Sequence, residues 1–542
     1  MNRTTMSLIA AVVALAAVTG VATLADPAQP SGGSAASARL PVDRSTLLCP
    51  APSSSDLAET TYTAFTPRAA DGKDGTDGKG GADGEAKAGR ATLLPAAGEN
   101  PADDPAAGDG DPAGDGDTAS GDGDASGNGD ASGDGDGKKP REAGGEPVAP
   151  VKEPGTPVTA TADGAEAPAL IGEADGRLAP GWSVQQTTTV DAGVGRGLLG
   201  AACTAPDTEF WFPAVSTASD RQDYVHLTNP DDRTAVVDLE MYGAEGETDA
   251  EAGEAIQVPG RSTVAVLLAT LGERPEINAT LHVTVRTGRV GAAVQAADTN
   301  LGGDWLPASA APAPALVLPG IPKDATAVRL VAYAPGDDAD LTVRLAGPSG
   351  SITPAGNGTL HVKSRMTAAL DLGDVTKGEP GSLVLAPENA DRGKPVVAAL
   401  RVTRGKGDKQ ETAYIPATPA ITERGTVADN RAEGTTLSLV APEEAAKVRI
   451  TASATTEGGA PVTETRTVKA GTTVSLDRLR PAADKGVYAI TVEHLSGGPV
   501  HAARMLALPD DGVPMFTVQT LPDDGGTVEV PKAEQDLSLL NE

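Results

Sequence analysis

Five histidines, His226, His282, His361, His494 and His501, are the only side chains here whose ordinary pKa lies near neutrality. None stands in an H-E-x-x-H pair or beside a cysteine at zinc-ligand spacing. His282 and His361 alternate with apolar neighbours, as residues on one face of a strand do. One literal G-x-G-x-x-G occurs, Gly195-Arg-Gly-Leu-Leu-Gly200. A dinucleotide site would open a helix there, but Cys203, Thr204 and Pro206 follow, so the motif reads as a glycine-rich strand connection. Paired carboxylates could cleave glycosidic bonds, yet among 75 acidic residues no pair is marked out.

The stretch GDGDASGNGDASGDGDG, residues 121–137, raises the question of calcium. An EF-hand loop starting at Asp122 needs a bidentate Glu at its twelfth position, where Gly133 stands. Glycine-aspartate β-rolls repeat every nine residues around an apolar position, whereas this repeat has six and lacks one. The residues therefore imply no catalytic, cofactor or metal site. Trp182, Trp211 and Trp305 remain as candidate ligand contacts, because indole faces stack on sugar rings. The bland reading for Phe210-Trp211-Phe212 is core filling.

What must position these residues is a chain of 542 residues with a net charge of −32. That charge disfavours nucleic acid, which demands a basic face, and docking on anionic lipid. The N-terminus carries Arg3 and then an uncharged run from Leu8 to Ala25, the pattern of a secretion signal. Thr23-Leu24-Ala25 suits cleavage, while the run is also long enough for a retained anchor, so membrane contact depends on which occurs. In an exported chain, Cys49 and Cys203 as the only cysteines point to one disulfide. It would close a loop of about 150 residues, worth roughly 4–5 kcal/mol in the chain-entropy model.

Residues 95–147 contain no Val, Ile, Leu, Met, Phe, Tyr or Trp, so they have little to bury against the entropy of ordering. They centre an expected disordered, acidic, Gly/Asp/Pro-rich insertion at 67–180. Beyond it, Val/Leu/Thr alternation broken by Gly, Pro, Asn and Asp predicts strands and turns. Three blocks superpose: from YVHLTNPDDRTAVVDLEMYG, from AVRLVAYAPGDDADLTVRLAG and from TLSLVAPEEAAKVRITASA. The expected fold is all-β: three tandem immunoglobulin-like β-sandwich modules after an N-terminal signal or anchor helix at 1–25. The first module is discontinuous, 40–66 with 181–310; the second spans 311–416 and the third 417–521, followed by a flexible tail at 522–542.

LLCPAP, and the stretch CTAPDTEFWFP leading to LTNP, resemble a family of secreted actinomycete envelope proteins carrying a domain of unknown function. The resemblance covers most of residues 1–310. It implies structural motifs, a cell-envelope setting and no catalytic residue to carry over. The leading expectation is a non-enzymatic extracytoplasmic scaffold or interaction protein, secreted or membrane-anchored, with an envelope protein or glycan as partner. The alternative is a carbohydrate-binding protein using Trp182, Trp211 and Trp305; an envelope hydrolase ranks third.

Overall fold

In the computed structural model, residues 38–68, 89–98, 145–248, 251–481, 483 and 485–530 are described. The signal or anchor segment, the glycine-aspartate repeat and residues 531–542 lie outside them. The described chain is built of β-strands, its helical pieces being four single 3-10 turns. None of its helices is long and apolar enough to cross a membrane.

Contacts divide the chain into two units. A small one pairs Ala38–Pro41 with Thr527–Val530, and the other spans 41–526. The pairing of Thr527–Val530 departs from the expected flexible tail at 522–542. Everything below concerns the larger unit.

Its strands repeat one plan four times. In module one the eight strands are Arg44–Cys49, Ala58–Phe65, Ala91–Pro95, Val148–Val151, Val158–Asp163, Leu170–Asp175, Ser183–Val190 and Gly197–Ala202. Strands one, six, three and four form one sheet in that order; strands five, two, seven and eight form the other. The same order recurs from Glu209 to Leu306, from Leu316 to Pro416 and from Arg424 to Thr520. Within each module the eight strands pair antiparallel, Ala97–Gly98 adding one short parallel pairing to Ser262–Leu267, and the two inner faces enclose one apolar cluster. Alternation explains this: in Ala235–Gly243 the residues Val237, Leu239 and Met241 point inward and are buried.

Two expectations are corrected here. There are four two-sheet modules and not three, because residues 41–206 make their own pair of sheets and core. The insertion expected at 67–180 is also too broad, since residues 89–98 and 145–180 supply strands three to six of module one. Short runs such as ATLL and VAPV bury Leu93, Ala149 and Val151 in that core, where a partner sheet supplies the burial that composition lacks.

The disulfide joins Cys49, at the end of strand one, to Cys203, just beyond strand eight. It ties the two outermost strands of module one across its core. Replacing Cys203→Ser should lower stability by about 2–5 kcal/mol, read as a lower denaturation midpoint; reductant should reproduce the loss in wild type and leave the variant unmoved. Equal midpoints for oxidised wild type and variant would remove the bridge from the stability of this unit.

Candidate functional site

Each eighth strand is the edge of its sheet, and the four edges meet. Gly197–Ala202 packs against Gly302–Leu306, that strand against Lys409–Pro416, the third against Phe516–Thr520, and the last against the first. The large side chains sit at these seams. Trp305 of module two packs among Ala58, Val190 and Leu199 of module one. Tyr414 of module three enters the core of module two, and Phe516 of module four enters that of module three. Leu198 of module one closes the cycle against Leu506 and Met515 of module four.

A buried polar knot lies where the edges converge. Oδ1 of Asp304 accepts from the backbone N of Gly200 at 2.9 Å, Oγ1 of Thr517 at 3.0 Å and the backbone N of Trp305 at 2.8 Å. Glu411 accepts from the backbone N of Leu198 at 3.3 Å, with Arg196 at 3.7 Å. Burial drives the Asp304 carboxyl well above the usual carboxylate range and pushes Glu411 up to about 9. It also presses Arg504 down to about 10. The approach is close: a Cβ on Gly200 would lie 2.0 Å from Nε2 of Gln519 and 2.6 Å from Thr517. The G-x-G-x-x-G match thus serves backbone contact between modules.

A cleft of about 1050 Å³ opens where modules one, two and four adjoin. Its walls include Arg44–Leu47 of strand one, Trp182 and Gln185 at the start of strand seven, and Thr426 and Asp523 of module four. Its carboxylates are already engaged. Glu173 pairs with Arg261 at 3.1 Å, and Asp231 holds Arg289 through two bonds of 3.0 and 3.1 Å. Asp523 accepts from the backbone amides of Thr422, Glu423 and Arg424, and Asp524 from Arg424 and Thr426. Among the described residues, Nε1 of Trp182 and Nε2 of Gln185 have no acceptor, though both side chains are at least 97% buried.

The structure does not bring the three tryptophans together. Trp182 fills the core of module one and touches the cleft. Trp211 stacks on His282 with ring centroids 3.6 Å apart, between modules two and three. Trp305 meets His226 edge-on at 5.1 Å. Each indole is no more than 6% exposed. His282 bridges Glu240 and Glu209 at 3.0 Å each, and His501 bonds the carbonyl of Thr418 at 2.9 Å. Sequence reasoning missed Asp304 and Glu411. The available signal was a lone acid in an otherwise neutral strand segment, GGDWL and ETAYIP, easily lost among so many carboxylates.

The raised carboxyls fix a pH dependence. Folded Glu411 keeps its proton up to about pH 9, whereas an unfolded glutamate loses it near 4.5, so rising pH favours unfolding throughout that interval. His226, lowered to about 4, acts oppositely, and only below its unfolded value of 6.5. Between pH 7 and 9 the melting temperature should fall, and Glu411→Gln should flatten that fall. A flat wild-type profile would show that Glu411 is ionised in the fold.

A family model described as a family of unknown function (DUF5719) matches residues 158–478. No curated protein and no solved structure matches the chain.

Proposed function

Since that match spans more than half of its residues, the chain belongs to the DUF5719 family, and we propose that it is a non-enzymatic interaction protein of the extracytoplasmic cell envelope. The observation that carries this reading is the state of the ionisable groups. Asp304 and Glu411 are locked in the seam between modules, and the carboxylates of the cleft are committed to arginines and amides. A general acid or base needs a group free to exchange a proton with substrate. Groups spent on holding modules together favour binding over turnover.

The disulfide supports the compartment, because such bonds persist outside the reducing cytosol. We read the eight-stranded modules as immunoglobulin-like sandwiches, a framework that commonly carries recognition. Secretion or anchoring through the N-terminal segment belongs to this proposal as well. The carbohydrate reading is weaker, since a sugar platform needs an accessible indole face and all three are packed.

Incubating the whole protein with isolated envelope material tests the reading. Saturable co-sedimentation with no release of soluble sugar or peptide is expected. Time-dependent release of fragments, scaling with protein, would make it an envelope hydrolase instead.

A further inference from the structure

Strand one of module one is a sheet edge, paired along its length only with strand six. On its outward side single backbone contacts close the two ends, Val42 donating to the carbonyl of Gly526 at 3.2 Å and Leu48 meeting Thr204. Its outward side is identified by Leu48, which donates to the carbonyl of Thr204 at 2.8 Å and accepts from its amide at 3.1 Å. In an antiparallel ladder alternate residues point their N–H and C=O the same way. Arg44 and Thr46 therefore present their backbone groups outward with Leu48, and no described strand pairs with them there.

In the other modules the cap on this edge falls nearer the beginning of strand one. In each, the chain leaving strand eight crosses to strand one and bonds it near its beginning. Ser309 donates to Trp211, the third residue of Glu209–Val215, at 2.8 Å. Thr418 donates to Val317, the second of Leu316–Ile321, at 3.0 Å. Asp524 donates to Arg424, the first of Arg424–Asn430, at 2.8 Å. In module one the equivalent bond falls on Leu48, the fifth residue of Arg44–Cys49. The displaced cap leaves Arg44–Leu47 to line the cleft.

We propose that an extended polypeptide segment binds in this cleft as an added strand on Arg44 and Thr46. An acceptor-bearing side chain, a carboxylate or an amide oxygen, takes the free N–H groups of Trp182 and Gln185. The inference rests on the interaction reading above and names its partner class. Two observations independent of the open edge point the same way. The buried donors Trp182 and Gln185 lack acceptors among the described residues, and an unpartnered buried N–H is costly. At about 1050 Å³ the cleft sits at the upper end of small-molecule pockets, suiting a longer ligand. In strand addition the main chain supplies affinity and alternate side chains supply selectivity.

The whole protein is screened against a displayed library of random octapeptides and, in parallel, against a glycan array. The strongest synthetic octapeptide is then titrated into wild type, Thr46→Pro and Trp182→Phe. Proline at 46 removes an outward N–H and spares the bonds to strand six, so the melting temperature should barely change. The expected result is at least a tenfold loss of peptide affinity in Thr46→Pro and a smaller loss in Trp182→Phe. Hydrogen exchange on wild type gives a second readout that survives a misfolded variant: the amides of Arg44 and Thr46 should exchange fast alone and slowly with the octapeptide. Peptide binding with those amides still unprotected, or undiminished in a folded Thr46→Pro, would overturn strand addition while leaving the interaction reading intact. Recovery of glycans and no peptide, with loss in Trp182→Phe, would overturn the partner class. Release of fragments from envelope material would overturn the interaction reading itself.

Discussion

Four sheet edges that end on one another are the constraint on which this structure depends. An edge strand offers unpaired N–H and C=O groups and is normally blunted by charge, proline or a covering loop. Here each module's edge is covered by the next, and the cycle closes because the fourth edge returns to the first. Such closure presses the Gln519 and Thr517 side chains against the bare backbone of Gly200, and one carboxyl, Asp304, takes bonds from modules one, two and four. Burial there raises the Asp304 carboxyl well above the usual carboxylate range, because burying a charge is costly.

The scarcity of aromatic residues acquires a meaning from this layout. With 13 in 542 residues, the chain cannot give every core its own large rings. Trp305, Tyr414 and Phe516 are spent at seams, each reaching into the preceding module, and most module interiors are filled by Val, Leu and Ala. Arg221 lies 5.9 Å over Tyr414 and Arg404 4.8 Å over Phe516, so two of these wedges are also flanked by a guanidinium. A cluster such as Phe210-Trp211-Phe212 looked in sequence like a ligand platform or a core. It serves packing throughout, with Phe210 and Phe212 inside module two and Trp211 on the seam to module three. Alternation along one strand makes that division unavoidable.

Much of the fold was legible in residues. Period-two patterning and turn residues gave the strands beyond Phe210, and three blocks of like spacing marked modules two to four. Module one was not legible as a repeat because long stretches separate its second, third and fourth strands, so the spacing that revealed the others is broken. Its third and fourth strands are four or five residues of Ala, Leu, Pro and Val with a single Thr, too short to show a period. The family match has the same blind spot: it begins at Val158, the fifth strand of module one, and stops at Arg478, before the last three strands of module four. The cleft was less legible still. Strand one, strand seven and the residues after strand eight of module four converge there from positions more than 400 apart, and no local pattern encodes such a meeting.

The cyclic contact also dictates an order of events during synthesis. A ribosome releases the N-terminal strands first, and modules two and three can complete their sheets from nearby sequence. The seam between Gly197–Ala202 and Phe516–Thr520 joins segments some 300 residues apart, so it waits until nearly the whole unit has emerged. Until then, one edge at each end of the row stays bare. Contacts of such long range are slow to form and leave intermediates open to pairing with foreign strands. A nascent chain of this kind benefits from being held unfolded until it is finished.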